Sequence, residues 1–215
     1  MNENLFENQN QLTTQNKMLA FYKSNKILIY SLIAMLLIII SSTSIYLEIN
    51  ERKKILLSDN FMDAKVYLQK GEKEKARDTL KSVIFEDNST YSALSLFLIL
   101  EEDLIEDKKE LLKLFNYILE NNRYEKELKN LIIYKKALFQ SNFVDEQQLL
   151  QTLKPLLNNE TFWKPHALLL LGDYFVFKKE NIKATEFYSR ILTLKNINND
   201  LYEQARSQLI LIKND

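Results

Sequence analysis

Residues 27–47 read ILIYSLIAMLLIIISSTSIYL, a stretch with no charged side chain, and no other feature limits so strongly what the chain can become. A helix rises about 1.5 Å per residue, so about 20 residues reach across the roughly 30 Å hydrocarbon core of a bilayer. A buried helix of a soluble protein usually keeps a polar face, whereas residues 28–40 are apolar on every side apart from Tyr30 and Ser31. The stretch is therefore predicted to be a transmembrane helix. The competing reading is a cleaved signal peptide, since Lys23 and Lys26 precede the apolar core and Ser42, Thr43 and Ser44 resemble a small-residue cleavage site. The long leader of residues 1–26, and the continuation of the run through Ile45, Tyr46 and Leu47, favour an anchor that stays.

Orientation is weakly encoded. Lys17, Lys23 and Lys26 before the span are matched in number by Arg52, Lys53 and Lys54 after it. Lys23 and Lys26 lie closer to the apolar core, and Glu48 and Glu51 stand between the span and the second basic cluster. This predicts residues 1–26 as a short cytoplasmic tail, 27–47 as the span and 48–215 as a domain on the far side of the membrane. Residues 1–22 are rich in Asn and Gln with scattered Leu5, Phe6, Leu12 and Leu19, a pattern open to either an interfacial helix or a disordered tail.

The domain after the span has almost nothing to make hairpin turns with. The chain holds 2 Gly and 2 Pro in 215 residues, and strand-rich folds need turn residues at short, regular intervals. The predicted class is all-α. Apolar positions recur at three- and four-residue intervals, broken by polar clusters at residues 70–74, 86–89, 106–109, 121–123, 141–145, 158–160, 178–181 and 196–200. Helical segments are expected between these clusters, and links this short force chain neighbours antiparallel, so the domain reads as a row of helical hairpins. Segments 91–104, 109–120, 124–140 and 146–157 supply the middle of the row.

Two hairpins share a more specific spacing. In the last, Leu171 and Gly172 are followed by Phe175, then Ala184, Tyr188 and Ile191; in the first, Ala64 takes the glycine position, followed by Tyr67, a turn at Gly71, then Ala76, Leu80 and Val83. Small residues at Gly172 and Ala184, and at Ala64 and Ala76, would let paired helices approach closely while aromatics fill the space beside them. This pattern resembles the tetratricopeptide repeat. The offset from Ala64 to Gly172 is 108 residues, not a whole multiple of that repeat's roughly 34, so the period is not strict.

The run Leu153-Lys154-Pro155-Leu156, then Phe162-Trp163-Lys164-Pro165-His166-Ala167, Leu170-Leu171-Gly172, and later Ala205-Arg206 and Leu209, is similar to one family in particular. It resembles the bacterial inner-membrane ancillary subunits of the SecYEG translocon (YfgM-like), which join a short cytoplasmic tail and one span to a degenerate periplasmic tetratricopeptide-like domain. The resemblance is sharp over residues 153–211; the Asn/Gln-rich tail and the middle hairpins depart from it. It implies an inner-membrane protein whose periplasmic domain contacts the translocon, periplasmic chaperones or exported chains.

The residues offer little for catalysis. His166, the single histidine, has no orienting carboxylate or nucleophile in its neighbourhood of sequence. The chain has no cysteine, and no phosphate loop, zinc-ligand pair or nucleophile elbow is present. Acidic runs at residues 101–103 and 106–107 lack the spacing and glycine of a calcium loop. Lys plus Arg and Asp plus Glu are each 29, so no overall field gathers nucleic acid. Neither a cofactor nor a metal nor a small-molecule substrate is expected. Phe162 and Trp163 are expected in the core, stapled onto the following helix.

Protein binding is the expected function, on the face formed by the first helix of each hairpin. By the Gly172 register this face carries His166, Leu169, Asp173 and Val176, and in the first hairpin Phe61, Lys65 and Leu68. Its mixed character suits extended apolar segments. An envelope or organelle assembly scaffold, in cytochrome maturation or cell division, has the same anatomy; a membrane-tethered hydrolase built around His166 is the reading from another class.

Overall fold

A computed structural model describes the backbone of residues 3–195 and 197–214 and, within these, the side chains from residue 18 onward. Among the described residues all regular structure is helical: α1 (Glu3–Gln69), α2 (Lys73–Ile84), α3 (Ser89–Glu101), α4 (Lys108–Asn121), α5 (Lys126–Gln140), α6 (Glu146–Leu157), α7 (Lys164–Phe177), α8 (Asn181–Leu192) and α9 (Asn199–Asn214). The chain divides into two compact units, Met1–Leu56 and Leu57–Asp215.

The first unit is the part of α1 up to Leu56; the rest of that helix belongs to the second unit. The helix departs from regular geometry at Asn25 (φ −116°, ψ 17°), whose side-chain amide donates to the Phe21 carbonyl at 3.1 Å. The tail left undecided between helix and disorder is thus helical from Glu3 onward. Beyond Asn25 the apolar run lies bare: Ile38 is 66% exposed and Leu47 64%. Ser31 and Thr43 return their hydroxyls to the helix, donating to the Leu28 and Ile39 carbonyls, each at 2.9 Å. Internal satisfaction of this kind is what hydrocarbon demands of a polar atom. The mean hydropathy reaches 2.3 within Met18–Gln69, so α1 is long and apolar enough to span a membrane.

In the second unit each helix packs on its neighbours in the chain, α2 on α3 through to α8 on α9, and α7 also touches α5 and α9. Two apolar clusters result. One gathers Ala64, Leu80, Leu96, Phe115, Ile118 and Ile132; the other gathers Ile133, Ala137, Leu153, Leu171, Phe175 and Tyr188. Helix α5 sends Ile132 to the first and Ile133 and Ala137 to the second, so it is the element the two clusters share.

The hairpin that closes α1 and opens α2 repeats, bond for bond, in α7 and α8 at the 108-residue offset. Gly71 ends α1 at φ +77°, and Lys179 stands at the matching place after α7 at φ +60°. Glu72 N–H donates to the Tyr67 carbonyl at 2.9 Å and Glu180 N–H to the Phe175 carbonyl at 2.8 Å, the six-to-one bond of a Schellman motif. Lys75 pairs with Glu72, and Lys183 with Glu180. The same two lysines lie over rings on the preceding helix, Lys75 over Tyr67 at 5.7 Å and Lys183 over Phe175 at 5.0 Å. With so few glycines, left-handed turn positions elsewhere fall to Asp87 (φ 53°) and Asp103 (φ 48°), residues whose short polar side chains tolerate that region.

Two expectations need correction. The segment 91–104 ends early, because Asp103 turns left-handed and Leu104 N–H closes back on the Ile99 carbonyl at 3.0 Å. Leu104 and Ile105 lie in the connection, buried at 9% and 7% exposure, as an apolar plug and not as helix. Gly172, in turn, is met most closely by Tyr188 and not by Ala184. A Cβ at Gly172 would stand 2.3 Å from Cε1 of Tyr188, so the missing side chain makes room for a fully buried ring one turn further along α8.

Candidate binding surface

Helix α7 starts at Lys164 with Pro165 in its first turn, where no intrahelical N–H is lost. Its face at residues 166, 169, 173 and 176 is the one singled out from the register, and the structure divides it. His166 and Val176 are half-buried and Asp173 exposed, but Leu169 is only 8% exposed and belongs to the core. A leucine at that place packs inward into the cluster of Leu153, Leu171 and Phe175, so it presents little to a ligand. Asp173 has a structural task as well: its Oδ1 accepts the Tyr188 hydroxyl at 2.7 Å, which ties the ring above Gly172 to the edge of this surface.

His166 sits among rings. Its centroid lies 5.1 Å from Trp163, 5.3 Å from Phe162 and 5.9 Å from Tyr134, and Tyr134 on α5 stacks on Trp163 at 5.3 Å. Its Nδ1 lies 3.3 Å from the Phe162 carbonyl. Burial pushes the imidazole below its usual value, with the Phe162 carbonyl opposing, so the neutral form prevails at pH 7. A depressed histidine favours the fold at neutral pH and loses that contribution as pH falls below the unfolded value of about 6.5. The expected core pair separates here: Trp163 is half-buried against Tyr134, but Phe162 is 66% exposed. Only one of the two adjacent rings can turn inward ahead of α7. Beside them a small cleft of about 110 Å³ is lined by Phe162, Pro165, His166, Leu194 and Ile197.

On α1, Phe61 and Leu68 are half-buried and Lys65 is exposed. Phe61 meets Tyr91 of α3 at 6.2 Å. Ring contacts thus join α1 to α3 and α5 to α7. Among the described residues no hydrogen bond, ion pair or ring contact joins α3 to α5. There a cleft of about 580 Å³ opens, lined by Phe97, Leu100 and Glu101 of α3, Lys135, Leu138 and Phe139 of α5, and Asn142. Leu138 is 41% exposed, and so is Leu94, at 42%, one turn before Phe97. These residues lie between α1 and α7 in the chain and were not singled out from sequence. The signal was present only as apolar residues on polar-flanked helices, which does not separate groove from core.

Among the described residues no group of three or more Asp, Glu or His stands together as a metal site. Comparisons with protein-family models, curated proteins and solved structures find no match to this chain.

Proposed function

We propose that this chain is a membrane-anchored protein-interaction module: α1 crosses the membrane at residues 27–47, and residues 48–215 form a tetratricopeptide-like row of helical hairpins that receives segments of other proteins. The observation that carries this reading is the repeated hairpin. A turn, a backbone bond, an ion pair and a cation over a ring recur together at one offset, as expected when one structural unit is used twice. Packing between chain neighbours and the α5–α7–α9 contacts suit a stack of such units. On this reading Phe61 and Lys65, the α3–α5 cleft, and His166 and Asp173 form one surface that alternates apolar and polar groups, which fits an extended segment held by side-chain pockets. The rings around His166 support binding over hydrolysis, since no carboxylate is among its contacts.

By its resemblance to the YfgM-like ancillary translocon subunits, the domain is assigned to the periplasmic side of a bacterial inner membrane, and its partners to translocon, chaperone or exported chains. Two measurements test this. A phosphatase reporter fused after Asp215 is active if the domain lies outside the cytoplasm; activity of a cytoplasmic reporter instead reverses the topology. Crosslinking in intact membranes followed by purification in detergent recovers translocon or chaperone subunits; recovery of cytochrome-maturation or division proteins assigns the module to a scaffold.

A further inference from the structure

The helices that alternate with those of the proposed groove are α2, α4, α6 and α8, and their cross-ties are uneven. Lys81 of α2 reaches Glu110 of α4 at 2.6 Å, and Lys183 of α8 reaches Glu146 of α6 at 2.6 Å. Between α4 and α6, among the described residues, no hydrogen bond or ion pair is made. The gap is a cleft of about 500 Å³ whose floor is α5, on a different face of that helix from Lys135 and Leu138. Its wall is chemically distinctive. Lys136 is its one charged residue, accompanied by Gln140, Gln148, Gln151 and Thr152, with Leu119, Ile133 and Pro155 as the apolar part.

Lys136 is half-buried, and one of its three N–H groups is used, on Asn116 Oδ1 at 2.7 Å. Its partner is neutral. Burial pulls the ammonium down from its usual value, and Glu120 acts on it only through space. No acid lines the cleft. A cation that has lost part of its water and has no bonded counter-ion is a site for an anion. The glutamine amides and the Thr152 hydroxyl add neutral donors around it. Gln140 is 8% exposed and its Oε1 is buried without a hydrogen-bond partner, so the inner end of this wall is polar and carries no charge.

We propose that the α4–α6 cleft binds a carboxylate, with Lys136 and the Gln148, Gln151 and Thr152 side chains donating to it. A single ammonium among uncharged groups matches a monoanion; a dianion such as phosphate would remain half-compensated. The carboxylate source is either a polypeptide or a small organic acid, and the probes below separate the two.

The full-length chain in detergent micelles, with its glutamine side-chain amides followed by NMR, is titrated with N-acetylglycine, acetate, N-acetylglycinamide and inorganic phosphate. The expected result is a saturable shift with N-acetylglycine and none with the neutral amide. Affinity should fall by about tenfold in Lys136→Met, the scale of one lost charged hydrogen bond. N-acetylglycine tighter than acetate points to a peptide source; equal affinities point to a small acid, and both uphold the carboxylate site. If Lys136→Met loses helix content or melts early, Gln151→Leu on the exposed rim replaces it, with weakened binding again expected. Binding of N-acetylglycinamide or phosphate as tight as that of N-acetylglycine, unchanged affinity in a folded variant, or no saturation with N-acetylglycine overturns the assignment. None of these outcomes bears on crosslinking from the opposite face, so the two readings fail separately.

Discussion

Replacing Gly172 with alanine puts a methyl group where the Tyr188 ring already lies. The ring is fully buried and its hydroxyl is held by Asp173, so it has nowhere to move without strain in the α7–α8 hairpin. Overpacking of this kind costs about 1–3 kcal/mol. Gly172→Ala should therefore lower the unfolding midpoint of the full-length protein in detergent, and the loss should shrink in a Tyr188→Leu background, where the ring is gone. An equal loss in both backgrounds would mean that the glycine serves some other contact. The need for a small residue at 172 was legible from its spacing; its partner was not. Twelve residues separate Gly172 from Ala184 in the repeat pattern, but side-chain length carries the ring of Tyr188 back over the glycine, and no spacing rule encodes that reach. Lys179 provides a test of opposite sign. It occupies a left-handed position that Gly71 fills in the first hairpin, and a side chain there costs roughly 1 kcal/mol. Lys179→Gly should raise the midpoint, and a fall would show that the lysine makes a contact outweighing the backbone term.

At the scale of an element, caps and plugs decide where helices stop. The Asn88 side chain accepts from Thr90 N–H and Tyr91 N–H, each at 3.1 Å, and so starts α3. Asp107 and Asp145 do the same for α4 and α6. Asn88→Ala should cost about 0.5–2 kcal/mol, with faster amide exchange in the first turn of α3 and little change in α8; uniform acceleration throughout would deny that the effect is local. These starts were readable because a polar cluster ending in Asn or Asp before an apolar-periodic run is a cap signal. The end of α3 was not, because Leu104 and Ile105 continue the apolar pattern into a buried connection. Phe162 failed for a related reason: two adjacent aromatic residues cannot be told apart by hydrophobicity, and only the stacking of Trp163 on Tyr134 selects the inner one.

For the whole molecule, the coarse plan followed from the absence of turn residues and from one uncharged run, and the described residues agree with it: helices without strands, and one N-terminal helix able to cross a bilayer. The division of the core into two clusters sharing α5 was beyond sequence reading, since Ile132 and Ile133 are chemical twins that pack into different clusters. On the function proposed above, the surface running through the α3–α5 cleft receives polypeptide. Photo-crosslinking in intact membranes tests it most directly, with benzoylphenylalanine placed in turn at positions 138, 173 and 182. Position 138 lies in the cleft, 173 at the edge of the face, and Ile182, 90% exposed at the start of α8, outside it. Crosslinks to the same protein partners are expected from 138 and 173 and none of these from 182; partners captured equally from all three, or from 182 alone, would show that the cleft is not the binding surface.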